Sequence, residues 1–120
     1  MAHLLVIDDE RSVRQMACRI LVASGHSVIQ AENGTVGLIQ LAKHHVDLVL
    51  TDIVMPGTEG IETIQQIRRL LPDMKIIAMS GSHAQDLYLK TAEKFGANGI
   101  LNKPFRAAEL RDTVSRVLSN

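Results

Sequence analysis

The chain has 120 residues, 46% of them hydrophobic, which suits one domain with a single core. Thirteen Lys and Arg balance thirteen Asp and Glu, so no net positive field attracts nucleic-acid phosphates or an anionic membrane. The single cysteine, Cys18, cannot form an internal disulfide, and no apolar stretch approaches the roughly 20 residues that cross a bilayer. We therefore expect one cytoplasmic domain over residues 1–120, with no direct binding to nucleic acid or membrane.

Five short apolar runs are predicted as β-strands, at residues 3–7, 27–31, 47–51, 75–79 and 98–101. The first, third and fourth are continuously apolar, which is typical of parallel strands that are buried on both faces. The segments between the strands show helical spacing of apolar residues, clearest at Ile61, Ile64, Ile67 and Leu71 before the fourth strand. Gly25 and Gly96 are predicted to end the first and fourth helices, and Pro72 and Asp73 the third.

Strict alternation of strands and helices with short connections predicts right-handed βαβ crossovers and a parallel sheet covered on both faces. The fold class is therefore α/β, a single doubly wound five-stranded sheet. In such sheets ligands bind beyond the carboxyl ends of the strands. The residues that follow each apolar run are thus the first place to look for chemistry.

Polar residues do follow four of the five runs. They are Asp8, Asp9 and Glu10 after the first, Asp52 after the third, Ser80 after the fourth and Lys103 after the fifth. Carboxylates gathered at one edge repel one another unless a cation compensates them. Mg²⁺ prefers oxygen ligands and keeps several waters, so two or three carboxylates and a backbone carbonyl would hold it.

A metal beside a carboxylate, an ammonium and a hydroxyl favours phosphoryl transfer, in which the protein positions groups and neutralises charge. Asp52 is the predicted nucleophile because it follows a buried strand and precedes Met55-Pro56-Gly57, which favours a loop. Lys103 is predicted to contact phosphoryl oxygens as a point charge, and Ser80 to donate a hydrogen bond through its hydroxyl.

Motifs along the whole chain, from Val6-Ile7-Asp8-Asp9-Glu10 to Lys103-Pro104-Phe105, resemble the response-regulator receiver family of two-component signalling. The resemblance implies a flavodoxin-like fold of the chemotaxis-regulator kind, with strand order 2-1-3-4-5. It also implies a phosphoacceptor switch that catalyses only its own phosphorylation and dephosphorylation. The implied partners are a sensor histidine kinase or histidine phosphotransfer protein, and an output domain or downstream protein.

Residue roles also follow from this resemblance. Asp52 is the implied phosphoacceptor and a Mg²⁺ ligand, together with Asp9 directly, Asp8 mainly through water, and the backbone carbonyl of Val54. Ser80 and Lys103 complete the implied site, and the Lys103-Pro104 peptide is expected to be cis. One departure is Ile100, where the family usually has Tyr or Phe, so the aromatic part of its switch is missing.

Each of these polar residues alone also has an ordinary structural explanation, such as a helix cap, a turn or a solvated side chain. Their joint placement at four strand ends favours the functional interpretation. Two alternatives stay open: an unphosphorylated receiver-like interaction module, and a phosphohydrolase with an aspartate nucleophile. The second is disfavoured because such enzymes use another Asp two residues after the nucleophile, where this chain has Val54.

Overall fold

The computed structural model describes residues 1–55, 58–81, 90 and 92–120, so Pro56 and Gly57 of the predicted loop lie outside the described residues. The strands are β1 His3–Ile7, β2 Ser27–Ala31, β3 Leu48–Asp52, β4 Val54–Met55, β5 Thr58–Glu59, β6 Lys75–Ser80 and β7 Gly99–Asn102. The helices are α1 Arg11–Ala23, α2 Gly34–Lys43, α3 Gly60–Leu70 and α5 Ala107–Ser119, and helical residues 90 and 92–94 represent α4.

The main sheet has five parallel strands in the order β2-β1-β3-β6-β7. Counted along the chain, its strands lie in the order 2-1-3-4-5, so the predicted doubly wound topology is confirmed. The order reverses beside β1, and the carboxyl ends of β1 and β3 therefore lie next to each other at this point. An antiparallel pair, β4 with β5, lies outside the main sheet and was not predicted.

The predicted limits of β1 and β2 are confirmed, whereas three other strands differ by one residue. The third strand begins at Leu48 and includes Asp52, because Asp52 is in register with Met79 of β6. The fourth strand likewise extends to Ser80. The fifth strand begins after Asn98, although the Asn98 backbone N–H donates to the Ile76 carbonyl at 2.7 Å and its side-chain oxygen accepts a hydrogen bond from the Ile76 backbone at 2.9 Å.

Two apolar layers enclose the sheet. Alternate residues of β1 enter different layers: Leu4 and Val6 lie in the layer with α1 and α5, while Leu5 and Ile7 lie in the layer with α2, α3 and α4. This two-sided burial explains why the strand is continuously apolar. Burying a large aliphatic side chain contributes about 1.5 to 3 kcal/mol, so these layers hold the strand ends in fixed positions.

Two helices end just before the glycines predicted from the sequence. Gly25 and Gly96 have φ values of 94° and 113°, a region that costs glycine little, and they follow α1 and α4 as predicted. The third helix ends at Leu70, and the backbone N–H of Leu71 still donates to the Ile67 carbonyl at 2.7 Å. The turn at 72–73 follows, so the predicted stop at Pro72 and Asp73 is confirmed. Within the described ranges, no helix is both long enough and apolar enough to span a membrane.

Candidate functional site

The carboxyl edge of the sheet brings together side chains from three strand ends. Asp8 follows β1, Asp52 ends β3, and Lys103 follows β7. Asp8 and Asp52 are 0% and 2% exposed, so both carboxylates lie in a largely water-excluded position. Ser80, the last residue of β6, is also buried, and its carbonyl accepts a hydrogen bond from the Lys103 backbone at 2.9 Å.

The ammonium of Lys103 contacts both buried carboxylates. Its Nζ atom lies 2.7 Å from Oδ2 of Asp8 and 3.1 Å from Oδ2 of Asp52, and 3.6 Å from Oε1 of Glu10. The Lys103-Pro104 peptide is cis, as the family resemblance implied. Gly81 permits the close approach of the lysine, since a Cβ atom there would lie 3.1 Å from Cβ of Lys103.

The acidic surroundings keep Lys103 charged. Burial by itself lowers the pKa of this ammonium, but the bond to Asp8 and the negative charges of Asp52 and Asp8 outweigh that effect and raise the pKa above its ordinary value. Lys103 is therefore a fixed positive charge throughout the neutral range. It is suited to bind anionic oxygens and unsuited to transfer protons at neutral pH.

Hydrogen bonds to both the backbone and the side chain of Asp8 fix its position. Its N–H donates to the carbonyl of Ala31 at 3.1 Å, and its Oδ1 accepts from the Glu10 backbone at 2.9 Å. Oδ2 is buried and meets no hydrogen-bond donor among the described residues other than the Lys103 ammonium. This oxygen keeps acceptor capacity for a further cation.

The donor set fits a hard divalent cation. Carboxylate oxygens of Asp8, Glu10 and Asp52 all lie within 4.8 Å of one another. Oxygen ligands in a cluster of this size suit Mg²⁺ better than a soft transition metal. Glu10 was not predicted as a site residue. The sequence shows Glu10 only as the third acid of the Asp8-Asp9-Glu10 run. That position alone does not tell whether a residue is a metal ligand or a solvated side chain.

Two of the predicted Mg²⁺ ligands, Asp9 and the Val54 carbonyl, do not belong to this cluster of carboxylates. Asp9 is exposed and its carboxylate lies outside the cluster of three. Val54 follows Asp52 by two residues, and its backbone pairs with Glu59 in the β4–β5 ribbon. The roles assigned to both residues stay predictions. Ile100 of β7 is half-buried and packs against the layer that contains α3 and α4.

An open cleft of about 600 Å³ reaches the site from the side of α1. Its polar end is formed by Glu10, Asp52 and Lys103. Its walls include apolar side chains of α1 and of the segment after β7, namely Val13, Met16, Pro104 and Phe105. Asp52 therefore lies buried at the edge of an open cleft whose walls offer apolar contacts beside it.

Known proteins are similar to this chain over nearly its whole length. The family model described as "Response regulator receiver domain" matches residues 4–115. The chain is 36% identical over 119 residues to the DNA-binding transcriptional regulator NtrC of Azospirillum brasilense, covering 99% of this chain and 24% of that protein. It is 32% identical over 121 residues to the chemotaxis protein CheY of Bacillus subtilis, covering 99% of this chain and 100% of that protein.

Solved structures of receiver domains are also similar to this chain. The receiver domain of NtrX from Brucella abortus superposes with a TM-score of 0.93 at 27% identity, covering 98% of both chains. The similarity thus extends over nearly all of that receiver domain. In relatives such as NtrC, however, this chain spans only about a quarter of the length, so their further activities do not transfer to it directly.

Proposed function

The chain belongs to the response regulator receiver family, and on this premise we propose that it is a Mg²⁺-dependent switch phosphorylated on Asp52. One observation carries the proposal: Asp52 is 2% exposed, lies 3.1 Å from Lys103, and still borders an open cleft. A buried carboxylate placed beside a permanent cation and open on one side is suited to react with an incoming phosphoryl group.

The proposed donor is a phosphohistidine of a sensor kinase or a histidine phosphotransfer protein. A carboxylate oxygen of Asp52 attacks phosphorus, the P–N bond breaks, and its electron pair stays on the imidazole nitrogen. The product is an acyl phosphate on Asp52, which hydrolysis later returns to carboxylate and inorganic phosphate. Lys103 neutralises charge on the phosphoryl oxygens during transfer, and its position requires no rearrangement beforehand.

Asp8, Asp9, Asp52 and the Val54 carbonyl would hold Mg²⁺, with Glu10 added from the clustered oxygens. When bound there, Mg²⁺ would supply positive charge that offsets the negative charge of a transferring phosphoryl group. Without a divalent cation, the acids at this edge would repel an anionic donor. The available acceptor capacity of Asp8 Oδ2 supports the assignment.

The cleft beside Asp52 offers a surface for the donor. Val13 and Met16 of α1 and Phe105 after β7 line it with apolar side chains. A helix carrying the phosphohistidine could pack on these side chains while its imidazole reaches Asp52. A simple core role for Val13 and Met16 is the alternative, since both also pack against the layer between the sheet and α1.

Phosphorylation would bias the conformation through Ser80 and Lys103. Hydrogen bonds that involve a charged group are worth about 1.5 to 3 kcal/mol each. About 3 kcal/mol of differential stabilisation changes the ratio of two conformers roughly 100-fold, so one or two such bonds suffice for a switch. With Ile100 instead of an aromatic residue, the change must reach an output domain or partner without the usual ring movement.

Two other functions make different predictions. An interaction module would keep this fold without accepting a phosphoryl group, whereas a phosphohydrolase would turn over free phosphoesters. The sequence favours neither, because the acids and Lys103 are present and Val54 cannot transfer a proton. The single domain over residues 1–120 and the cytoplasmic location stay part of the proposal.

Intact-mass measurement after incubation with acetyl phosphate tests the function, with and without Mg²⁺. We expect one phosphoryl adduct that requires Mg²⁺, disappears in Asp52→Asn and persists in Asp112→Asn, a control at an exposed position of α5. A wild-type protein that is folded and binds Mg²⁺ but forms no adduct would favour the interaction module. Multiple turnover of p-nitrophenyl phosphate would favour the phosphohydrolase.

A further inference from the structure

Arg14 contacts the acidic turn from outside the predicted site. It lies one helical turn after Glu10 in α1, and its backbone N–H donates to the Glu10 carbonyl at 3.0 Å. Its side chain is half-buried and turns back along the helix. Nη1 donates to the Asp8 carbonyl at 2.8 Å, and Nε donates to Oε1 of Gln30 at 3.2 Å. One guanidinium thus joins α1, the end of β1 and the edge strand β2.

These contacts hold Asp8 at a third point. The N–H of Asp8 is fixed by Ala31 and its Oδ1 by the Glu10 backbone, but both bonds leave the carbonyl at the start of the turn unrestrained. Hydrogen bonds from a charged donor are shorter and stronger than neutral ones, and 2.8 Å is in their usual range. The Arg14 bond therefore restrains the peptide plane that leads from Asp8 into Asp9.

The turn carries all three acids of the Asp8-Asp9-Glu10 run. Asp9 and Glu10 lie between β1 and α1, so no strand pairing holds them. Rotation of the Asp8–Asp9 peptide would therefore move their carboxylates relative to Asp52. A displacement of about 1 Å is enough to weaken a site that depends on converging ligands. The residue that fixes this peptide therefore influences how well the carboxylates converge.

We propose that Arg14 is a positioning residue for the phosphorylation site: through the Asp8 carbonyl it sets the geometry of the acidic turn, and thereby the affinity for Mg²⁺. This inference rests on the proposed function. Arg14 does not contact the cluster of carboxylates, so its effect is transmitted through the backbone. Loss of a partner in the outer shell of a metal site typically lowers metal affinity by about 10- to 100-fold.

The test measures the Mg²⁺ dissociation constant by isothermal titration calorimetry for the wild type, Arg14→Met, Arg14→Lys and Arg19→Met. Arg19 is an exposed residue of the same helix and serves as the control. We expect Arg14→Met to bind Mg²⁺ roughly 10-fold more weakly, Arg14→Lys to recover part of the loss, and Arg19→Met to match the wild type. Urea unfolding in EDTA separates this effect from a general loss of stability.

Equal Mg²⁺ affinity for Arg14→Met and the wild type would overturn the inference, as would a loss fully explained by partial unfolding. Should Arg14→Met fail to fold, Gln30→Ala decides, because it removes only the second anchor of the guanidinium from an exposed position. We expect Gln30→Ala to weaken Mg²⁺ binding by less than the roughly 10-fold expected for Arg14→Met, because the bond to the Asp8 carbonyl stays in place. Unchanged affinity would refute positioning by a guanidinium that is anchored at both points. A wild type that binds Mg²⁺ but accepts no phosphoryl group would instead refute the proposed function.

Discussion

Replacing Lys103 with methionine should destabilise the protein strongly when no divalent cation is present. The substitution removes an ammonium nitrogen that lies 2.7 Å from Asp8 and 3.1 Å from Asp52, while leaving both carboxylates buried. At these distances each attraction is worth about 5 to 6 kcal/mol with an effective dielectric constant near 20, and desolvation offsets much of it. Removing one partner of a buried ion pair costs about 3 to 5 kcal/mol.

Mg²⁺ should restore part of this loss, because the ion supplies the missing positive charge. We therefore expect Mg²⁺ to stabilise Lys103→Met more than it stabilises the wild type. Because the pKa of Lys103 is raised in the folded state, its contribution is fully present below the ordinary lysine pKa of about 10.4 and is lost as pH rises through the folded value. A comparison at pH 7 thus measures the whole contribution.

Urea unfolding followed by circular dichroism, in EDTA and in Mg²⁺, measures both effects. Lys94→Met, which removes an exposed lysine of α4, is the matched control. In EDTA the expected loss of about 3 kcal/mol corresponds to a fall in melting temperature of roughly 10 °C. A loss below about 0.5 kcal/mol, the range of ordinary surface substitutions, would refute the account of Lys103 as a counter-ion. Equal stabilisation of wild type and Lys103→Met by Mg²⁺ would do the same.

Three further predictions concern other parts of the fold. Burial and then the charged amino terminus lower the pKa of His26 in the folded protein. Stability should therefore fall as pH drops from about 6.5 through that lower folded pKa, and His26→Gln should abolish this fall. Gly37→Ala should cost about 1 to 3 kcal/mol in urea unfolding, because its Cβ would collide with the side chain of Ile7. Arg68→Lys should cost about 2 kcal/mol, since one ammonium cannot reach both the carbonyls of Pro72 and Met74, bound by Nη1, and the oxygens of Gly96 and Asn98, bound by Nη2.

Matched variants decide these three cases. His44→Gln changes an exposed histidine and should leave the pH dependence near 6.5 intact; if His26→Gln also leaves it intact, the assignment to His26 is wrong. A Gly37→Ala protein as stable as the wild type would show that α2 can move away from β1 at little cost. Arg69→Lys, at the exposed neighbouring position, should be neutral, and equal losses at both arginines would contradict the special role of Arg68.

The sequence predicted the main sheet well because its central strands, β1, β3 and β6, are buried on both faces. A continuous apolar run such as 4–7 has few interpretations when turn residues follow, and alternation with helices then determines the topology. The strand ends were harder to predict. Asp52 was expected just outside its strand because it is charged, yet its backbone pairs with β6. Backbone hydrogen bonds between strands do not depend on the polarity of the side chain. A strand end predicted from polarity alone can therefore be wrong by a residue.

The site was predictable to the level of which strand ends meet, and less so for individual ligands. Asp8, Asp52 and Lys103 converge because the topology forces their strands together. Whether the side chain of Glu10 or of Asp9 points toward the cluster depends on the backbone of a short turn and on side-chain rotamers. The spacing of apolar residues in the sequence contains no information about either. Arg14 was missed for the same reason, since its contact with Asp8 depends on how α1 leaves the sheet.

Chemical identification of the phosphorylated residue tests the central claim most directly. Borohydride reduces an acyl phosphate to the alcohol with release of phosphate, so phosphoaspartate becomes homoserine and tandem mass spectrometry locates it. After phosphorylation in Mg²⁺, we predict homoserine at position 52 and at no other aspartate. Homoserine at Asp8 or Asp9, or a phosphoryl group on a residue that borohydride does not reduce, would contradict Asp52 as the acceptor.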